Sequence, residues 1–357
     1  MEDINRDKGS TRRASAWQRL LAKSWVRPSE LTEHGIDPLE LEPVTDLFPM
    51  RINPYFRSLI HKADDPIGRQ VIPVRAELED GASPLDPLDE EQQSPVPCVI
   101  HRYPQRVVFL VSNQCAVYCR FCMRKRRTAG IAQVSAEDLA EGLDYITRRA
   151  EINEVILSGG DPLMLSDERL SGILTALRRI PHVRLLRIHT RMPCVLPQRI
   201  TTRLTRTLAR YQPLYVNIHF NHPAEITAEA QKACKRLADA GIALGSQTVL
   251  LAGVNDDPAV LARLMMQLLT IRVKPYYLHQ LDRVRGTAHF RVPLERAIEL
   301  SAGLRGRLSG MAVPHLMIDL PEGGGKVALP PDAVIEKGTD CWWIRNWEGR
   351  RYAYALR

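Results

Sequence analysis

From about residue 105 the chain alternates between two kinds of pattern. Short apolar, β-branched runs occur at 107–112 (VVFLVS), 154–158 (EVILS), 184–189 (RLLRIH), 214–219 (LYVNIH), 244–251 (LGSQTVLL) and 273–278 (VKPYYL). Helix-like segments lie between them, at 136–149, 167–179, 199–211, 225–240, 257–270 and 293–309. Strands alternating with helices at this rhythm predict βαβ units and a parallel sheet. Six units fall short of the eight in a closed barrel. The expected fold is therefore α/β, a partial (β/α)6 TIM-like barrel, with a doubly wound sheet as second choice. Either architecture places chemistry at the C-terminal ends of the strands. A last strand-like segment, 315–320 (HLMIDL), runs into the glycine-rich PEGGGK.

The remainder divides by composition. Residues 1–16 read as a solvated, flexible tail, and 17–100 as a mostly helical and irregular N-terminal region with proline-rich stretches near Pro84–Pro87 and Pro95–Pro97. Residues 101–310 would form the partial barrel, and 311–357 a C-terminal extension. With 45% hydrophobic and 25% charged residues, composition is that of an ordinary globular protein. No apolar run approaches the roughly 18 residues of a membrane span, and the N-terminus lacks the apolar stretch of a secretory signal. A cytoplasmic protein without membrane contact is expected.

The formal charge of +8 permits nucleic-acid binding without demanding it, because the charge is dispersed. The one dense run is Arg124-Lys125-Arg126-Arg127, by itself as consistent with a solvated face as with a binding site. Aromatic residues make up only 6%, few for base stacking. Seven cysteines, an odd number, argue against a disulfide framework.

Three of those cysteines, Cys115, Cys119 and Cys122, form C-x3-C-x2-C after the first predicted strand. Thiolates bind zinc or iron–sulfur clusters. Structural zinc needs a fourth ligand, and none stands nearby at a usual spacing. A [4Fe–4S] cluster on three thiolates leaves one iron open to a small molecule. Incidental cysteines, or zinc with a distant fourth ligand, remain as alternatives. Gly323-Gly324-Gly325-Lys326 is no P-loop, since Val327 follows where Ser or Thr is required. A lysine on a flexible, close-approach loop suits Schiff-base chemistry with a carbonyl cofactor; an exposed surface lysine is the bland alternative.

The cysteine triplet, with an aromatic residue before its last member, resembles the radical S-adenosylmethionine (SAM) superfamily. Ser158-Gly159-Gly160-Asp161-Pro162 at the next strand end looks like the element that binds the methionyl amine there. The resemblance becomes specific over residues 17–354: HRYPQRV, CAVYCRFCMRKRR, ILSGGDPL, HFNHPAEIT, PYYLHQLD, DLPEGGGK and IRNWEG, among other stretches, are similar to the lysine 2,3-aminomutase family. That resemblance implies a [4Fe–4S] cluster on Cys115, Cys119 and Cys122. It implies SAM at Ser158, Gly159, Gly160 and Asp161, where a carboxylate would complement an ammonium. Pyridoxal phosphate (PLP) would be held as a Schiff base by Lys326, the catalytic lysine. Arg102 and Arg106 would suit the phosphate, and the Tyr103 ring would cover the pyridine face. Arg124 would grip the substrate α-carboxylate, and Asp282 with Asp319 the ε-ammonium, a pair that favours lysine over glutamate and excludes arginine less firmly.

The implied activity is a radical 1,2-amino shift that interconverts L-α-lysine and β-lysine. Its implied partners are a reducing donor such as flavodoxin or ferredoxin and further copies of the same chain. Three departures from the family pattern stand out. His279 replaces a tyrosine, and the PYYLHxLD…HF stretch is similar to the related aminomutase that serves elongation factor P. Glu322 replaces a glycine in the PLP-lysine loop. The sequence stops before the cysteine-rich zinc-binding tail of some members, so no such zinc is expected.

Overall fold

A computed structural model describes residues 14–34, 37–128, 134–329, 333–339, 341–346 and 348–356. Of the expected tail, residues 1–13 lie outside these, as does Pro330-Pro331.

One nine-stranded sheet organises the chain, its strands in sequential order. It begins with β1 (Val99–Tyr103), antiparallel to β2 (Arg106–Ser112). Seven strands then run parallel, each beside its sequence neighbour: β2, β3 (Glu154–Gly159), β4 (Leu185–Thr190), β5 (Leu214–His219), β6 (Ala243–Val249), β7 (Lys274–His279) and β8 (His315–Leu320). The strand β9 (Gly325–Ala328) folds back antiparallel on β8. A doubly wound sheet would reverse its strand order at a switch point. This one never does, so it is a partial barrel of six β/α units, with β1 and β9 as its two edges.

The first three helices, α1 (Ala16–Leu21), α2 (Pro38–Leu47) and α3 (Pro54–Arg57), precede the sheet. They are short, and the chain from 58 to 97 forms turns, 3₁₀ segments and one isolated bridge, Val96 to Val99. Residues 17–100 are thus helical in their first half and irregular beyond it.

The crossovers are carried by α4 (Ala136–Thr147), α5 (Asp167–Arg178), the short α6 (Met192–Val195) with α7 (Thr202–Ala209), α8 (Ala228–Asp239), α9 (Pro258–Thr270) and α10 (Leu294–Leu304). Five of these start where a side chain accepts a backbone N–H that has no helical partner: Ser135, Ser166, Thr201, Thr227 and Asp257. This chemistry explains why the segments predicted from 199 and 225 begin at Thr202 and Ala228. No described helix is long and apolar enough to cross a membrane.

The parallel strands sort their side chains by alternation. Leu186, Ile188, Val216, Ile218 and Leu278 are fully buried on the face covered by helices. Their neighbours Arg187, His189, His219, Tyr277 and His279 line the barrel lumen. The C-terminal strands β10 (Val334–Lys337), β11 (Cys341–Arg345) and β12 (Arg351–Ala355) form a separate antiparallel meander.

Candidate active site

A cavity of about 350 Å³ opens at the C-terminal ends of the strands, within the range of small-molecule sites. Of the residues to which the sequence reading gives a cofactor or substrate role, all but Gly159 line it.

The cysteine loop leaves β2 and is tied to the N-terminal region rather than to the barrel alone. The backbone N–H groups of Tyr118 and Arg120 donate to the carbonyls of Arg51 and Gln70. Asn53, fully buried, donates from Nδ2 to Ala116 and Val195. The Arg120 side chain turns away from the cavity and forks onto Glu77, at 2.8 and 2.7 Å, and Lys125 joins the same carboxylate at 2.9 Å.

Gly159 and Gly160 press this loop from the other side. A Cβ on Gly159 (φ +123°) would lie 2.0 Å from the Ser112 carbonyl oxygen, and one on Gly160 would lie 2.5 Å from that of Gln114. The close approach that these glycines permit is therefore to the chain itself.

The Asp161 carboxylate lines the cavity and is also engaged within the fold. It accepts hydrogen bonds from the backbone N–H groups of Leu163 and Arg191 and from the Thr190 hydroxyl, at 2.8–2.9 Å. Three donors occupy this carboxylate within the fold, so it meets the cavity in a fixed position with its remaining acceptor capacity.

All three thiols are free. Burial, then repulsion from Asp161 and the other two thiols, pushes Cys115 well above the ordinary thiol range; burial and Cys119 push Cys122 up to about 11. A cationic iron core would offset that cost, so the donor set suits thiolate coordination. Among the described residues no three His, Cys, Asp or Glu side chains stand close enough to share a single ion. A cluster does not ask that of them, because each thiolate takes its own iron.

Lys326 sits on β9, not on a flexible loop, and is the cross-strand partner of Asp319. Its Nζ donates to Asp319, and its backbone N–H donates to the Tyr103 hydroxyl at 2.7 Å. The turn before it, 321–324, contains Glu322 at φ +53°, the left-handed region that glycine would occupy at lower cost.

The tyrosine and the two arginines of HRYPQR are engaged with one another and with their surroundings. One face of the Tyr103 ring is taken by the Arg106 guanidinium, 3.9 Å from its centroid. Arg102 is committed to the Gln93 carboxamide oxygen and the Leu88 carbonyl, with Nη1 3.7 Å from Asp319 Oδ1. Arg106 has no carboxylate partner among the described residues. Asp319 Oδ1 is buried without a hydrogen bond. A lysine amine, an arginine without a carboxylate partner and a carboxylate oxygen without a hydrogen bond, all in one cavity, fit a PLP-type cofactor with an amino-acid substrate beside it.

Arg124 is met by Glu90, whose nearly buried carboxylate accepts from Nη2 at 2.6 Å and from Nε at 3.0 Å; Nη1 donates to Ser158 Oγ at 3.2 Å. Arg126 pairs with Asp86 and Glu91, and Lys125 is buried on Glu77. Three of the four charges of the basic run are thus met by acids of the 77–91 segment. Asp282 lies in the same cavity, where burial, then the Asp319 charge, raises its carboxyl to about 7.

Several lining residues were missed in the sequence: Glu90, Arg187, His189, Arg191, His219, Gln247, Tyr276 and Tyr277. Burial holds His189 and His279 well below the ordinary imidazole range and His219 down at about 3, with neighbouring cations adding to the effect. A usable signal existed. Parallel strands buried on both faces read as continuous apolar runs, so a polar residue recurring every second position marks a functional lumen. Glu90, in an irregular segment, had no such signal.

A partial barrel with three thiols at the end of its first parallel strand is the architecture of a radical SAM enzyme, and the Radical SAM superfamily model matches residues 109–265. The Lysine-2,3-aminomutase model matches residues 301–355, the segment that carries Asp319 and Lys326. The chain is 46% identical to the L-lysine 2,3-aminomutase of Methanococcus maripaludis, covering 88% of this chain and 74% of that one. It is 48% identical to that of Clostridium subterminale, covering 86% and 74%. It is also 44% identical to the glutamate 2,3-aminomutase of Clostridioides difficile, covering 87% and 74%. The chain belongs to the lysine 2,3-aminomutase family. It is an isomerase whose cofactors are a [4Fe–4S] cluster, SAM and PLP.

Proposed function

We propose that the substrate is L-lysine, whose α-amino group is moved to C3 to give β-lysine. The observation that carries this reading is the buried carboxylate pair Asp282 and Asp319, in one cavity with the guanidinium of Arg124. Two carboxylates attract a terminal ammonium and repel the side-chain carboxylate of glutamate. This charge set favours the lysine relatives over the glutamate one.

When bound, the cluster and SAM would supply one-electron chemistry, and PLP would supply the electron delocalisation that eases nitrogen migration. Cys115, Cys119 and Cys122 would hold the cluster. The backbone of Ser158, Gly159 and Gly160 would meet the methionyl group of SAM, with Asp161 fixing that turn. Lys326 would anchor PLP, Arg106 would take its phosphate, and Tyr103 would position Lys326 through its backbone N–H. Arg102 aims Asp319. Arg124, steered by Glu90 and Ser158, would bind the α-carboxylate. The neutral His189, His219 and His279 give the lumen polarity without charge, so the fixed charges orient the substrate. Positioning of this kind dominates such catalysis, because the cofactors carry the bond chemistry.

A low-potential donor such as flavodoxin or ferredoxin, and assembly with further copies of the chain, accompany this reading. Location in the cytoplasm is supported by seven free cysteines. The test is anaerobic reconstitution with iron, sulfide, PLP and SAM, followed by product analysis with lysine, glutamate and arginine offered separately. β-Lysine from lysine alone is expected. Turnover of glutamate in preference to lysine would reject the carboxylate-pair argument, and a borohydride-trapped pyridoxyl label on any lysine but Lys326 would reject the anchor.

A further inference from the structure

Arg191 stands directly after β4, almost completely buried. Its guanidinium divides between two tasks. Nη1 donates to the Sγ of Cys119 at 2.8 Å, a short contact for a sulfur acceptor. Nη2 donates to Glu225 at 2.8 Å and to the Gln70 carboxamide oxygen. Glu225 is itself fixed, since its other oxygen accepts the backbone N–H groups of Asn221 and His222. The rings of Phe121 and Phe56 flank the guanidinium at 5.2 and 5.5 Å. Aromatic walls, a fully buried counter-ion and a planar fork leave this donor one orientation, with one arm aimed at a sulfur.

We infer that Arg191 is a hydrogen-bond donor to one cluster ligand and raises the cluster's affinity for an electron. The inference rests on the proposal that Cys119 is a ligand. Reduction adds negative charge that spreads onto the thiolate sulfurs, and a charge-assisted N–H donor stabilises the more negative state. Water exclusion by Phe56 and Phe121 strengthens the effect, because the local dielectric is low. Glu225 neutralises the guanidinium overall, so the directed N–H bond, more than net charge, acts on the sulfur. Arg191 is a positioning residue: it acts through Cys119 and touches no reacting atom. A purely structural arginine, cementing Gln70 to Glu225, would leave the potential unmoved.

The experiment reads the cluster and not turnover. In the reconstituted holoenzyme, an EPR-monitored redox titration compares wild type with the double variant Arg191→Met/Glu225→Gln, which removes the donor without stranding a buried carboxylate. At a fixed applied potential the ratio of reduced to oxidised cluster should fall about tenfold, a shift of about 59 mV for one electron. An unchanged ratio with four irons retained overturns the inference. If the variant loses its iron, the wild type decides. Protein grown on guanidino-¹⁵N-arginine should show a weak ¹⁵N coupling to the reduced cluster in pulsed EPR, and absence of that coupling overturns the inference equally. Failure of the underlying assignment looks different: Cys119→Ala would then keep all four irons.

Discussion

At the scale of single residues, the cavity is governed by how each charge is paired. Arg102, Arg124, Arg126 and Lys125 each meet an acid from elsewhere in the chain, whereas Arg106 does not and Asp319 keeps one oxygen unsatisfied. Asp282 shows the consequence for pH. Burial, then Asp319, raises its carboxyl to about 7 from an ordinary value near 4. Its ionised form is the one that attracts an ammonium. The free enzyme's kcat/KM for lysine should therefore fall as pH drops below about 7, approaching tenfold per pH unit. For stability the sign is opposite. The folded state holds this proton more tightly than the unfolded chain, so Asp282 favours folding at low pH, and that contribution is lost between about pH 4 and 7. Asp282→Asn should flatten both trends; a pH–rate profile in the variant with the same acid limb as wild type would contradict the assignment.

Elements place these residues, and their strength lies in shared anchors. The cysteine loop has no regular structure of its own, yet Glu77 pins it through Arg120 and Lys125. Although burial pushes the Glu77 carboxyl up, those two cations hold it below the usual carboxylate range. Glu77→Gln leaves two buried cations short of a counter-charge and should cost about 3–5 kcal/mol, read by anaerobic urea unfolding. A loss under about 1 kcal/mol would mean that the loop is held by its backbone bonds alone. Much of this scale was legible beforehand. The predicted strands at 154–158, 214–219 and 315–320 agree with β3, β5 and β8 to within a residue, because β-branched runs bounded by polar turns have few alternatives. The anchors were not legible: Glu77 and Arg120 are 43 residues apart, and no periodicity links them. The Lys326 segment was misread as loop, since glycine and a left-handed Glu322 hide a turn that closes an antiparallel pair, β8 with β9.

For the whole molecule, the N-terminal region is the back wall of the barrel. Arg51, Asn53, Gln70, Glu77 and Glu90 all reach the cysteine loop or the cavity. A chain starting at residue 98 should consequently fail to hold four irons or to unfold cooperatively in urea, although it keeps every strand of the sheet. Full iron loading in that fragment would contradict this account.

By itself the sequence determined the order of strands and helices, the three thiols and their spacing, and the lysine after its glycines, because these depend on neighbours a few residues away. Only the tertiary structure decided that Asp161 accepts from Thr190 and Arg191, that Glu90 meets Arg124, that Glu77 holds Lys125, and that Arg191 reaches a cysteine 72 residues earlier. Those outcomes depend on which distant charges burial forces together, and the cost of leaving a buried charge unpaired is paid only once the barrel has closed around it.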